Sequence, residues 1–333
     1  MYSRLSIAAL ISLVSSLALS PAAEEPAARE VAFHAYTKAI ELKLGTANAV
    51  LCPQAGGRVL EFSAGGATAL YLDDAEMNWK PGKPGALSAG RFDYGPELTV
   101  APHPKAWGGE WSAVIAGGVV RLTSPRDNPG GIQLVREFRL VPHGNLVGLS
   151  CKQTMTNVGT ATREVCHWGR SFSPGGGVCV IPLGDRPSRF PSKYAMYEDS
   201  AVINVRAKDD RIRERDGFLE ILSPPRKPKL GFDTTAGWLA YLMPNGTAFV
   251  KRFPTFADRV YNEAAGLTLS VWYPPGPRIE LEPIGPRERL RPGESASFTE
   301  DWWLLPHPFP KDGAMTDLKA LADQVARQTP APK

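Results

Sequence analysis

Two short stretches carry side chains able to move a proton. In Arg278-Ile279-Glu280-Leu281-Glu282-Pro283, strand alternation sends Ile279, Leu281 and Pro283 to one face and Glu280 and Glu282 to the other. Two carboxylates on one strand face must meet water, a ligand or basic partners. A solvated sheet edge is the plain reading and a general base the chemical one. In Cys166-His167-Trp168-Gly169-Arg170-Ser171-Phe172, a histidine sits near the end of an apolar strand. That imidazole is either a satisfied structural group or, beside a carboxylate from another strand, half of an acid–base couple. A neighbouring negative charge would raise its pKa from about 6.5 and keep it protonated as an acid.

Aromatic residues accompany these groups. Tryptophan occurs eight times, often beside polar residues, as in the run from His103 through Trp107 to Trp111. Flat rings next to hydrogen-bonding side chains suit sugar rings, although a Trp at a strand end also serves in core or rim packing. The familiar nucleophile and phosphate motifs are missing: the sequence has no GxSxG, Walker loop, dinucleotide fingerprint or HExxH. A serine hydrolase, a nucleotide enzyme and a zinc protease are thereby disfavoured, and the cysteine spacings do not resemble a zinc site. The formal charge is +4, with basic residues scattered as singles and pairs, so no nucleic-acid partner is expected.

The elements that must hold these residues are strands. The chain has 333 residues, of which 32 are Gly and 31 Pro, too many for long helices or a coiled coil. The segment Met1–Ala22 reads as a secretory signal: Arg4, an apolar run from Leu5 to Ser20, then Ser20-Pro21-Ala22 for cleavage. The run, roughly 16 residues, is short of the ~20 that span a bilayer. The mature protein is therefore expected to be exported, periplasmic or secreted, and without a membrane span. Residues 23–33 read as a mobile lead-in and 34–310 as one β domain. Residues 311–333 read as a terminal helix and tail, with Met315, Leu318, Leu321, Ala322 and Val325 at helical spacing. Between them lie more than a dozen short period-two or apolar runs, including Arg58–Phe62, Val119–Thr123, Leu134–Val141, Trp238–Leu242 and Ser297–Leu305. Without alternating helices they predict an all-β fold, a large antiparallel β-sandwich or barrel with a short C-terminal helix.

Export permits disulfides among Cys52, Cys151, Cys166 and Cys179. If Asn157-Val158-Gly159-Thr160 is a hairpin turn, the register that pairs Asn157 with Thr160 also sets Cys151 opposite Cys166. Their Cα atoms would then lie about 4.5–5.5 Å apart, within disulfide range. Two buried free thiols are the alternative.

In order along the chain, these pieces resemble the galactose mutarotase-like (aldose 1-epimerase-related) superfamily, over roughly residues 40–308 and most closely an exported bacterial branch of it. "GGRVLEF" at Gly56–Phe62 resembles the opening hairpin, and "GRFDYGPE" at Gly90–Glu97 the loop that supplies a sugar-binding Arg. "HPKAWGGEW" at His103–Trp111 resembles the segment in which a His precedes a glycine pair. "CHWGRSFSPGGG" at Cys166–Gly177 resembles the strand end bearing the acid His, and "KLGFDTTAGWLAYL" and "FVKRF" resemble features of that branch. "IELEPIGPRERLRPGES" at Ile279–Ser295 resembles the stretch with the base Glu and its Leu-x-Pro-Gly turn.

The resemblance implies a large β-sandwich (supersandwich), a mono- or oligosaccharide ligand and no cofactor. It makes Glu282 the base and His167 the acid, with Arg91 and His103 on ring oxygen and hydroxyls. Glu97, Trp107 and Lys229 are further substrate-binding candidates, and Asp233 is the position open to the family's sugar-binding Asp. Around His167 the chain departs from the epimerase pattern, with Cys166 in place of Asn and Trp168-Gly169-Arg170 in place of aromatic-Phe-Asn. Three functions are therefore weighed: anomer interconversion, glycan binding without catalysis, and lyase-type chemistry using Lys229, Lys251 and Arg252 against a uronate.

Overall fold

A computed structural model describes residues 25–126, 129–199, 202–310 and 314–332. The proposed leader, Met1–Ala22, lies outside them. Two antiparallel sheets form a sandwich. The larger runs Ala27–Phe33, Tyr36–Leu44, Ala47–Cys52, Arg58–Ala64, Gly90–Gly95, Arg163–Pro174, Arg278–Pro283, Leu269–Trp272, Lys229–Phe232, Ala195–Tyr197, Ile203–Asn204. The smaller runs Ile212–Arg215, Phe218–Ile221, Val178–Pro182, Trp238–Met243, Thr247–Arg252, Ser295–Pro306, Leu146–Asn157, Ile132–His143, Val119–Thr123, Ser112–Ala116. The main core lies between them, and includes Leu42, Phe62, Phe92, Phe138, Leu281 and Trp302. A helix, Leu318–Gln328, buries Leu318, Leu321 and Val325 against the back of the smaller sheet, on Val250, Trp303 and Leu305. None of the described helices is long and apolar enough to cross a membrane.

Two expectations are corrected. The lead-in is not loose: Ala27–Phe33 is an edge strand in register with Tyr36–Lys43, with Arg29 paired to Glu41 across the ladder at 2.8 Å. Nor is there a Cys151–Cys166 bridge, since all four cysteines are free and buried. The intended hairpin does not form, because Leu146–Asn157 pairs within the smaller sheet while Arg163–Pro174 belongs to the larger. Asn157-Val158-Gly159-Thr160 instead carries the chain from one sheet to the other. The Asn157 side chain fixes that crossing by donating to the carbonyls of Ala161 (2.8 Å) and Leu290 (2.9 Å) and accepting from the Gly159 N–H. Burial pushes the Cys52 thiol up to about 11 and raises the other three as well. A thiol reagent is expected to label essentially none of the four cysteines in the native protein and all four in denaturant, as read by mass spectrometry.

Two close approaches set up the site. Gly56 and Gly57 hold positive φ, and a Cβ on Gly56 would stand 2.3 Å from the Trp107 carbonyl oxygen. Their carbonyls accept from Arg136 Nη1 at 2.6 and 2.9 Å, and the Gly56 N–H donates to the Gly109 carbonyl at 2.8 Å, which ties the end of the Pro104–Gly108 helix to the sandwich. At Gly169 a Cβ would fall 1.8 Å from Glu300 Oε1. The missing side chain admits an interior ion pair, Lys251–Glu300 at 2.9 Å, in which Lys251 also donates to Ser171 Oγ and the Leu281 carbonyl.

Candidate functional site on the outer face of the larger sheet

The central strands alternate between the sandwich interior and the opposite, outer face. In Gly90–Gly95, Phe92 and Tyr94 enter the core, leaving Arg91 and Asp93 on the outer face. Antiparallel pairing sets Arg170 opposite Arg91 and Trp168 opposite Asp93. In Arg278–Pro283, Ile279 and Leu281 are core residues, so Glu280 and Glu282 also face outward. Lys229 lies two strands away on the same face, in register with Trp272 and through it with Glu280.

These side chains meet. Glu282 is fully buried; Lys229 Nζ donates to both its oxygens at 2.7 and 2.6 Å, and Trp168 Nε1 to Oε2 at 2.8 Å. Burial pushes its carboxyl up to about 7, against the pull of Lys229 and with a further push from Glu280. Arg170 donates through Nε to Glu280 at 2.8 Å and sits 4.0 Å from Asp93. Asp93 lies 2.6 Å from His103 Nε2, whose Nδ1 is 2.9 Å from the Ala101 carbonyl. A carbonyl only accepts, so Nδ1 carries a proton, and Nε2 meets the Asp93 carboxyl, an ion pair when both ring nitrogens are protonated. Trp107 caps the cluster, with the guanidinium carbons of Arg91 and Arg170 at 4.6 and 5.2 Å from its ring. Arg91 is buried beneath it, donating to the Gly85 and Ala86 carbonyls, and burial pushes its pKa down to about 9.

Other expected members go elsewhere. His167 faces the sandwich interior, stacked on Phe298 of the smaller sheet with ring centroids 5.6 Å apart. Strand parity puts it on the face opposite Trp168, and therefore opposite Glu282, so the two do not form a couple. It is fully buried, and neither ring nitrogen has a hydrogen bond of normal geometry. Burial pushes its pKa down to about 3, offset only weakly by the backbone near Ala296 and Gln153. Lys251 is inside the sandwich and does not join Lys229, which removes the cation cluster of the lyase reading. Glu97 is exposed; its N–H donates to Glu263 at 2.8 Å, and burial raises the Glu263 carboxyl. Asp233 is taken up by Ser188 and Arg189 beside the loop that begins at Arg186.

Asp93, Trp168, Arg170 and Glu263 carry no ligand-facing expectation from the sequence, and Glu280 carries one only as the companion of Glu282. Asp93 stands two residues after Arg91, and Glu280 two before Glu282, so alternation alone places both beside recognised candidates. Glu263 lies in a loop without a periodic pattern, and nothing in the sequence marks it. No group of three or more His, Cys, Asp or Glu among the described residues is arranged to hold a metal ion.

The two-sheet frame, its connections and the short terminal helix make up the galactose mutarotase-like fold. Among solved structures, a galactose mutarotase-like protein from Lactobacillus casei superposes with a TM-score of 0.57 at 11% identity, covering 80% of this chain and 100% of that one. A second, from Clostridium acetobutylicum, gives 0.56 at 12%, covering 85% and 99%. A galactose mutarotase related enzyme from Lactobacillus acidophilus gives 0.51 at 8%, covering 82% and 99%. At these identities the likeness is one of fold. No protein-family model and no curated protein matches the chain.

Proposed function

We propose that this chain binds a saccharide on the outer face of the larger sheet, with Glu282 accepting a proton from the anomeric hydroxyl. The observation that carries this reading is Glu282 itself: a buried carboxylate between Lys229 and Trp168, with a pKa pushed to about 7, where a general base is most effective at neutral pH. Around it stand fixed polar groups, Arg170 with Glu280 and His103 with Asp93, and the Trp107 ring. In this reading Glu282 takes the anomeric proton, and His103 in its imidazolium form gives one to the ring oxygen, its Nε2–H leaving Asp93 to do so. The ring opens, the aldehyde rotates, and the steps reverse. The leader Met1–Ala22 makes export part of the proposal.

The test is exchange NMR on the anomers of galactose and other aldoses. Wild type is expected to accelerate exchange, and Glu282→Gln to lose a factor on the order of 100 or more. Equal rates for the two proteins would remove Glu282 as the base. A second reading, saccharide binding without turnover, is favoured by the position of His167, which leaves the family's acid out of the site. It requires binding that survives Glu282→Gln and no exchange on any aldose.

A further inference from the structure

Beside the outer face lies a groove of about 410 Å³ that the proposed saccharide site does not use. Its lining carries Arg186, Arg189 and Arg259, two of them ion-paired (Arg189 with Asp233, Arg259 with Glu288 behind the groove), together with the rings of Phe256 and Tyr261. Asp233 is spent locally, accepting from Ser188 Oγ at 2.6 Å and from the Arg189 backbone and Nε at 2.8 and 3.2 Å. The arginines are pre-positioned. Arg186 Nη1 donates to the Ala257 carbonyl (2.7 Å), Arg189 Nη2 to the Gly266 carbonyl (2.7 Å), and Arg259 Nη2 to the Arg287 carbonyl (3.1 Å) and Glu288 (2.7 Å). Each anchor uses part of a five-donor fork and leaves the remaining N–H groups to the groove, so little side-chain entropy is left to lose on binding.

The groove also adjoins the outer-face site. Gly266 and Thr268 line it, while Leu267 between them packs with Trp168 and Ile284 beside Glu282. One packed residue, Leu267, thus separates the aromatic-walled groove from the Glu282 cluster.

We infer that the groove binds the carboxylate-bearing units of an acidic saccharide chain, a polyuronate, whose neighbouring residue reaches the outer face. Planar guanidinium forks match carboxylates, and Phe256 and Tyr261 offer flat faces to sugar C–H surfaces. The anionic class comes from the groove; the saccharide class rests on the function proposed above.

The experiment is calorimetric titration of the full-length protein with tetragalacturonate and, in parallel, with neutral galactotetraose. Tetragalacturonate is expected to bind at least about tenfold more tightly, and to weaken at least about tenfold between low and high salt. The double variant Arg186→Gln/Arg259→Gln, shown folded by circular dichroism, is expected to lose at least about tenfold in tetragalacturonate affinity. Equal affinity for the two tetrasaccharides, absence of tetragalacturonate binding, or an unchanged affinity in the folded double variant would each overturn the inference. So would equally tight binding of single-stranded DNA, which would mark plain charge attraction. If the double variant fails to fold, the wild-type comparison of charged and neutral tetrasaccharide still decides. Anomer exchange on monosaccharides reads the Glu282 site separately: tetragalacturonate binding without exchange leaves the groove standing while the catalytic reading falls.

Discussion

Replacing His167 with Leu is expected to abolish a large part of the protein's loss of stability in acid. The imidazole is fully buried against Phe298 and Gly285, in a core that cannot solvate its charged form. Its folded pKa is pushed down to about 3, whereas in the unfolded chain it titrates near 6.5. Above about pH 6.5 neither state binds the proton and the residue contributes no pH dependence. As pH falls below that value the unfolded state takes up a proton that the folded state refuses. Stability then declines by up to about 1.4 kcal/mol per pH unit until the folded value is reached. Summed across the window, the loss is on the order of 4 kcal/mol, enough to matter for a domain of ordinary stability. Other groups also make stability depend on pH, among them Glu282 and Asp301 with raised carboxyls and Glu76 and Glu220 with lowered ones. The measurement is therefore a difference: urea unfolding of wild type and His167→Leu from pH 8 to pH 4. The gap between the two curves should be flat at the alkaline end and should shift in favour of Leu as pH falls below about 6.5. A gap independent of pH would mean that the ring is charged or solvated in the native protein.

The same residue shows where the sequence stops being legible. Glu280 and Glu282 can be placed because Ile279 and Leu281 between them admit one core-facing assignment, and the structure keeps that parity. The stretch from Cys166 to Phe172 does not offer that choice. Cys166, Trp168 and Phe172 are buried on the outer face, the first two against Leu267 and the third beside the Trp272 ring, while His167, Gly169 and Ser171 are buried inside. With both faces covered, hydrophobicity does not say which is the core, and a histidine near a strand end is readily assigned to the wrong side. Gly169 holds the clue in retrospect, since its missing side chain makes room for Glu300 from the opposite sheet, but that partner lies 131 positions away and no local pattern announces it. The disulfide expectation fails for a related reason. Local turn chemistry at Asn157-Val158-Gly159-Thr160 is sound, yet the partners of the flanking strands are set by distant segments, Ser295–Pro306 on one side and Gly90–Gly95 and Arg278–Pro283 on the other. Strand positions, by contrast, follow from alternation and turn residues alone. Val119–Thr123 and Arg278–Pro283 agree end for end, and Leu134–Val141 grows only to Ile132–His143.

Lys229→Met is expected to destabilise the protein in a way that depends on Glu282 being ionised. In the wild type, burial raises the Glu282 carboxyl from the usual carboxylate range to about 7 despite two hydrogen bonds from Lys229. For a raised carboxyl the contribution to stability is fully present below the unfolded value, about 4.3, and is lost as pH rises towards the folded one. Removing Lys229 takes away the opposing cation, so the folded value moves higher still and the loss continues beyond pH 7. At pH 5 to 6 both proteins hold Glu282 protonated, and the variant should cost only about 1 kcal/mol in lost packing and hydrogen bonding. Around pH 9 the carboxylate would be buried beside Trp168 with its ion-pair partner gone, and the cost should approach about 3 kcal/mol. Adding Glu282→Gln to Lys229→Met removes the charge and should restore the stability lost at high pH, while Glu282→Gln alone should cost less than Lys229→Met does there. Chemical unfolding of the four proteins at pH 5.5 and 9 measures this as a double-mutant cycle at each pH. A cost for Lys229→Met that is the same at both pH values would show that Lys229 supports the sheet face by packing alone and leaves the Glu282 charge to other groups. The pH-dependent outcome would establish a carboxylate whose proton is set by one ammonium, that of the largely buried Lys229. In the proposed saccharide reading, a sugar hydroxyl approaching Glu282 must compete with that ammonium, so saccharide affinity and the stability lost on removing Lys229 should be governed by the same ion pair.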